Sequence, residues 1–254
     1  MSDIIRKFGW IPDVPDARDI YYSAPRDISI MPAINMQEYC PPVWDQGTLG
    51  SCTANAILAA HQFEQIKLFS ISESVMLSRL FLYYNEREME GSVSIDRGAQ
   101  IRSGMKSLVS QGACPELEWP YNITAFTTKP SPQCYESALK YKIVQYQRVG
   151  QSLAELQSCL MSRPFVCGIA IYDSFKSDQV ARTGIVPMPN LFRERMLGGH
   201  AIMCVGYDNG TGRFRMRNSW GTEWGQNGYF EIPYEYLTNR NLSADFWTIQ
   251  MVEK

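Results

Sequence analysis

The stretch WDQGTLGSCTANA places one thiol, Cys52, among small residues where a helix-forming run begins. The thiolate is the reactive form of cysteine, and a free thiol has a pKa of about 8.5, so a working nucleophile needs a base or cation beside it. The chain holds two histidines. His61 lies about two and a half helical turns beyond Cys52, roughly 13 Å along the axis and on the opposite side, so it cannot reach the thiol. His200 remains, in LGGHAIMCVGYD at the start of a strand-like run. The two residues before it, Gly198 and Gly199, let another stretch of chain or a ligand come close.

Two amides could complete the chemistry. In RFRMRNSW the residues alternate, which sets Arg213, Arg215 and Arg217 on one face and Phe214, Met216 and Asn218 on the other. Asn218 therefore falls on the apolar side, where a buried amide needs partners. An imidazole N–H is a good partner and would fix the ring's tautomer. Trp220 and Trp224 follow and could shield such a pair from water. Gln46, on the loop entering the helix, could donate to a developing oxyanion. The amide of Cys52 would be the second donor, since a helix start has free N–H groups and a dipole that favours a thiolate. Taken singly, each residue has a structural alternative: a strand-end histidine, an asparagine satisfied by backbone, a surface glutamine.

The elements that must carry these residues change character along the chain. A helix is expected from Cys52, with Ser51 able to cap it. Further helices are expected over 75–87, over 99–111 ending at Gly112, and over 153–161. Residues 115–132 read as loop. Strands are expected at 165–172, 200–208, 213–220, 228–232 and 246–252. Helices early and strands late make an α+β chain of two lobes. The expected organisation is an extended arm over 1–27, rich in Pro, Asp and Arg, a mainly helical lobe over 28–145 and a mainly β lobe over 146–254. No internal repeat or low-complexity tract occurs.

Composition narrows the partners. The chain has 254 residues, 45% of them apolar and 20% charged, with a net charge of −2. No Lys/Arg-rich block exists, which argues against nucleic acid or an anionic membrane surface. The start carries charges and no apolar core of signal-peptide length, and no run of about 18 apolar residues occurs. The seven cysteines include no CxxC pair, so neither a metal nor another cofactor is expected. Their odd number and the missing signal point to reduced thiols in a cytoplasmic or other reducing compartment.

Together, WDQGTLGSC, GGHAIMCVGYD and RNSWGTEWGQNGYF resemble the papain-like cysteine proteases, the last stretch being the most specific. That family places its histidine and asparagine about 130–150 residues after the cysteine. His200 fits this spacing and Asn218 lies slightly beyond it. The resemblance covers residues 28–254, with weaker support from SIDRGAQIRSGMKSLVSQGACPE and WPY. It implies a helical lobe and a β-barrel-like lobe with the site in the cleft between them. It assigns Cys52 as nucleophile, His200 as general base, Asn218 as the residue orienting the imidazole, Gln46 as oxyanion donor and Trp220 as the covering indole. It also implies extended peptide or protein substrates, bound by backbone contacts at Gly98 and Ala99 and near Gly198 and Gly199. Here Ala99 replaces the second glycine of the family's pair.

The departures are specific. Leu49 stands where the family's Cys-Gly-Ser-Cys-Trp signature has its first cysteine, so the family's disulfide across this loop is missing. Thr53 replaces the aromatic residue. Gly199 replaces the Asp or Asn that often precedes the histidine, and the long helical pro-segment is lacking. The implied activity is peptide-bond hydrolysis through a thiolate–imidazolium pair and a thioester. The alternatives are an inactive binding module, and acyl transfer or ligation from the same site. Asp245 would favour a basic substrate side chain if it pointed into the selectivity pocket; a solvated turn position is the plainer expectation. The arm either straps the surface, the favoured expectation, or lies in the cleft as an inhibitor.

Overall fold

The structure, a computed structural model, describes residues 6–23, 29–70, 72 and 74–252. Of the arm, residues 1–5 and 24–27 lie outside these. In chain order the elements are β1 (Ala33–Asn35), α1 (Cys52–Leu68), α2 (Arg79–Met89), α3 (Ile101–Ser110), α4 (Pro132–Ala138), β2 (Ile143–Arg148), α5 (Leu153–Leu160), β3 (Phe165–Tyr172), α6 (Asp178–Thr183), β4 (Met196–Asp208), β5 (Arg213–Arg217), β6 (Tyr229–Pro233), α7 (Tyr234–Thr238) and β7 (Ser243–Val252). The strands form an antiparallel sheet in the order β2-β7-β3-β4-β5-β6, and β1 pairs with β4. The chain is α+β.

Helix α1 is the axis of the molecule. Every residue from Cys52 to Ile66 is buried, and the helix packs against β4, β7, α2 and α3. At its N-terminal end the enclosed polar side chains are satisfied internally. Thr53 Oγ1 donates to Glu86 Oε2 of α2 at 2.7 Å, and Asn55 Nδ2 donates to the Ser51 carbonyl at 2.9 Å. Burial holds the Glu86 carboxyl well above the usual carboxylate range. Gly104 of α3 makes room for it, since a Cβ there would stand 2.4 Å from Glu86 Oε1. These contacts fix the turn of α1 that begins with Cys52.

Several boundaries differ from the sequence reading. Ser51 precedes α1 but makes no capping bond with its side chain. Its hydroxyl meets Tyr121 and Asn55 instead. Helix α2 starts at Arg79 because Leu77 bridges to Pro115 and Ser78 caps the helix by accepting from Phe81 N. α4 falls where the loop was expected to end; Ser131 caps it and Pro132 opens it. β1 and β2 were not anticipated: β1 is three residues long, and β2 shifts register twice against β7. Strand β5 ends at Arg217, so Asn218 stands just beyond it, though still buried. Arg217 is only 2% exposed; its guanidinium donates to the Pro42 carbonyl at 2.6 Å and lies over the Trp44 ring.

Candidate active site

The N-terminus of α1 delivers Cys52 to the middle of β4. Cys52 Sγ accepts from the amide of Ala201, the residue after His200, at 3.3 Å. His200 itself pairs with Ile169 across the β3–β4 ladder. Its Nε2 lies 2.8 Å from Asn218 Oδ1. An amide oxygen only accepts, so Nε2 carries the proton and Nδ1 is left as the free lone pair. Nδ1 is buried without a hydrogen-bond partner. The Trp220 ring lies over the imidazole with centroids 5.0 Å apart. Phe175, Trp224 and Phe230 pack behind it.

Gln46 faces the same point from the loop before α1. Its Oε1 accepts from Ser219 Oγ at 2.6 Å, and its backbone amide donates to the Ser219 carbonyl at 2.9 Å. The side-chain NH₂ is thereby turned inward, where it donates to the Leu49 carbonyl at 2.9 Å. The Tyr121 hydroxyl donates to the Gln46 carbonyl at 2.9 Å and so props the loop from the other side. The sequence reading missed Ser219 and Tyr121. Ser219 had a signal, being next to Asn218; Tyr121 sits in an irregular loop whose path only the fold sets.

The arm does not strap the outer surface here: residues 6–13 run along the cleft, and this corrects the favoured expectation. Gln46 Nε2 donates to the Lys7 carbonyl at 3.2 Å, and the Phe8 ring meets His200 and Trp220. The Gly9 amide faces the Cys52 thiol. Ala99 N donates to the Gly9 carbonyl at 2.8 Å, Ile11 N to the Ala99 carbonyl at 3.0 Å and Trp10 N to the Gly199 carbonyl at 2.9 Å. Gly98 has φ +88°, and a Cβ there would stand 2.1 Å from the Gly9 carbonyl oxygen. The Phe8 side chain packs on Gly198, where a Cβ would come within 2.8 Å of Phe8 Cβ. Gly98, Ala99, Gly198 and Gly199 are thus brought together along one groove, and the chain's own N-terminal segment fills it.

Trp10 occupies a pocket beyond this groove. A Cβ on Gly168 would stand 1.9 Å from its indole, so the pocket exists because that residue has no side chain. The indole Nε1 donates to Asp245 Oδ2 at 3.1 Å. Asp245 is buried rather than solvated, with φ +59°, and also accepts from Asp13 N and Arg148 Nη2. The plainer expectation of a solvated turn is overturned, because the bend in β7 turns this carboxylate towards the pocket.

Enclosure governs the electrostatics. Burial pushes the Cys52 thiol up to about 12, and the amides of Ala201 and Gly9 offset this only in part. Burial likewise pushes His200 down to about 4, opposed by the Asn218 hydrogen bond. The arm-covered site therefore holds thiol and imidazole neutral. Among the described residues no cluster of His, Cys, Asp or Glu could hold a metal ion, and no helix is long and apolar enough to cross a membrane. All seven cysteines are free. A thiol at a helix start, an imidazole of fixed tautomer, an amide oxygen on its Nε2 and a side-chain amide beside the helix are the groups from which an acyl-transfer site is built.

A model of the papain family cysteine proteases matches residues 28–244. An uncharacterised peptidase C1-like protein of Acanthamoeba polyphaga mimivirus is 39% identical over 99% of this chain and 89% of its own length. Cysteine proteinase 3 of Dictyostelium discoideum is 27% identical over 80% of this chain and 58% of its own. Among solved structures, xylellain, a cysteine protease from Xylella fastidiosa, superposes with a TM-score of 0.91 at 43% identity. That match covers 98% of this chain and 97% of the other.

Proposed function

Because the chain belongs to the papain family of cysteine proteases, we propose that it is a cysteine peptidase that hydrolyses peptide bonds through Cys52. The observation that carries this reading is the 2.8 Å contact of His200 Nε2 with Asn218 Oδ1, which leaves Nδ1 as a base in the site that holds the thiol. With the arm out of the cleft, water reaches both groups and the cost of charging them falls. The proton then passes from Cys52 to His200, giving the ion pair. The thiolate attacks the substrate carbonyl carbon. Gln46 Nε2 and the amide at the start of α1 hold the oxyanion. His200 gives its proton to the leaving amine, then activates water to hydrolyse the thioester.

The arm acts as an intramolecular inhibitor in this reading. It fills the backbone-binding groove, with the Gly9 amide against the thiol. The seven free thiols fit a reducing compartment.

The test is intact mass after incubation with a thiol-reactive peptidyl epoxide, alongside peptide turnover, for wild type, Cys52→Ala and His200→Ala. One adduct per chain on wild type, none on Cys52→Ala, and turnover lost in both variants is the expected result. Wild-type turnover by Cys52→Ala would refute the assignment. Labelling without turnover would favour a binding module, and a transpeptidation product would favour acyl transfer to an amine.

A further inference from the structure

Tyr121 lies outside the catalytic set, in the loop between α3 and α4, yet its hydroxyl joins the supports of both oxyanion donors. It donates to the Gln46 carbonyl at 2.9 Å. Having one proton, it meets Ser51 Oγ, 2.5 Å away, as the acceptor. Gln46 carries one oxyanion donor on its side chain. Ser51 immediately precedes Cys52, whose amide is the other. Ser51 Oγ in turn accepts from Asn55 Nδ2 at 3.2 Å, and Asn55 Oδ1 accepts from Arg79 Nη1 at 3.3 Å. The Arg79 guanidinium covers the Tyr121 ring, 4.0 Å from its centroid. Glu116 accepts from the Tyr121 amide at 2.8 Å and pairs with Arg79 at 3.4 Å. Ring, backbone and hydroxyl of Tyr121 are thus all held in place.

An oxyanion is held well only when both donors converge on one point, and their spacing must be set before the substrate arrives. Gln46 is bonded on one side to Ser219, which accepts from its backbone N–H and donates to its Oε1. Those bonds fix Gln46 to the segment after β5, not to α1. On the α1 side, the Leu49 carbonyl turns the NH₂ group, and the Tyr121 hydroxyl holds the backbone from which that side chain hangs. We infer that Tyr121 is a positioning residue for acyl transfer: its hydroxyl sets the spacing between Gln46 Nε2 and the Cys52 amide, and so how strongly the oxyanion is held. Burial pushes this hydroxyl up to about 12, so it keeps the proton it donates throughout the neutral range.

This inference rests on the peptidase reading, and the experiment separates the two. The full chain carrying Trp10→Ala, to loosen the arm, is compared with and without Tyr121→Phe, which keeps the ring over Arg79. Peptide turnover, the affinity of a peptide aldehyde and the rate of Cys52 alkylation by iodoacetamide are measured. The thiolate adds to the aldehyde carbon, and the C=O π electrons pass to an oxygen that sits where the oxyanion does. Alkylation displaces iodide and forms no oxyanion. Tyr121→Phe should lower kcat and aldehyde affinity about tenfold, less than the hundredfold or so lost with a deleted oxyanion donor, while KM and the pH profile of alkylation stay within about twofold. In a Gln46→Ala background the same substitution should cost less than about twofold in aldehyde affinity, because the donor it positions is gone. Unchanged aldehyde affinity, an equal loss in alkylation, or a loss that persists in full without Gln46 would overturn the inference. No aldehyde capture with Tyr121 intact would overturn it together with the peptidase reading. Aldehyde capture that depends on Tyr121, without turnover of any peptide, would support the Tyr121 assignment while removing the peptidase reading.

Discussion

Residues 6–9 and residues 10–19 belong to one extended arm, yet they hold the body by different physics. The first stretch lies over Cys52 and His200 and makes ion pairs with one member each towards solvent: Arg6, 13% exposed, with Asp45, 42%, and Lys7, 53%, with Asp96, 8%. The second stretch is an anchor built from buried groups. Trp10 fills its pocket, Asp13 accepts from Trp247 Nε1 at 2.8 Å and from Arg102 N at 3.1 Å, and Asp19 pairs with Arg102 and Arg148. Exposed pairs are screened and contribute little, whereas buried aromatic surface and paired buried charges are costly to disturb. The arm therefore covers the thiol with one stretch and is held to the body by the other.

The largest effect is expected from Trp10→Ala in the full chain. Truncating a buried tryptophan costs about 3–5 kcal/mol. Most of that loss falls on docking, so Cys52 labelling by a peptidyl epoxide should rise roughly a hundredfold. An unchanged rate would mean that the anchor does not control access.

Acidity gives the next largest effect. Burial, then the neighbouring Asp245, pushes Asp13 up to about 6, against the smaller opposing pull of Arg102 and Trp247. The docked arm thus favours the protonated acid. Its contribution to docking is complete below the ordinary carboxylate value of 3.8 and is lost as pH rises through about 6. Hydrogen exchange at the Trp10 and Ile11 amides should accelerate across that window beyond its intrinsic pH dependence, and Asp13→Asn should flatten the excess. An equally steep excess in Asp13→Asn would place the titration elsewhere.

The smallest effect is expected from Arg6→Ala, which removes a pair with the half-exposed Asp45, worth about 0–1 kcal/mol, and a hydrogen bond to the Trp220 carbonyl. Labelling should change by less than about fivefold. A change as large as that of Trp10→Ala would erase the distinction between cover and anchor.

The catalytic candidates were legible in the sequence because each stood in a local pattern: Cys52 at a helix start, His200 after a Gly pair, Asn218 on the apolar register of an alternating run. The groove residues Gly98, Ala99, Gly198 and Gly199 were legible through the family resemblance, and the structure brings all four to the arm. Tyr121 and Asp96 fall in stretches that carry the weaker resemblance, but nothing local marked what they touch. Each meets partners distant in the chain, Gln46 for the first and Tyr83, Gly50 and Lys7 for the second.

The chain alone marked the main helices and strands around the site and the candidates for nucleophile, base and orienting amide. These depend on the period of apolar residues and on short-range composition, which act over a few residues. Where the arm lies, which way Asp245 turns and what Asp96 faces are set by the fold. Those outcomes depend on close approaches of backbone to backbone at Gly9, Gly98 and Gly199, and on one indole fitting over Gly168. Such contacts join residues far apart in the chain, and no local periodicity encodes them.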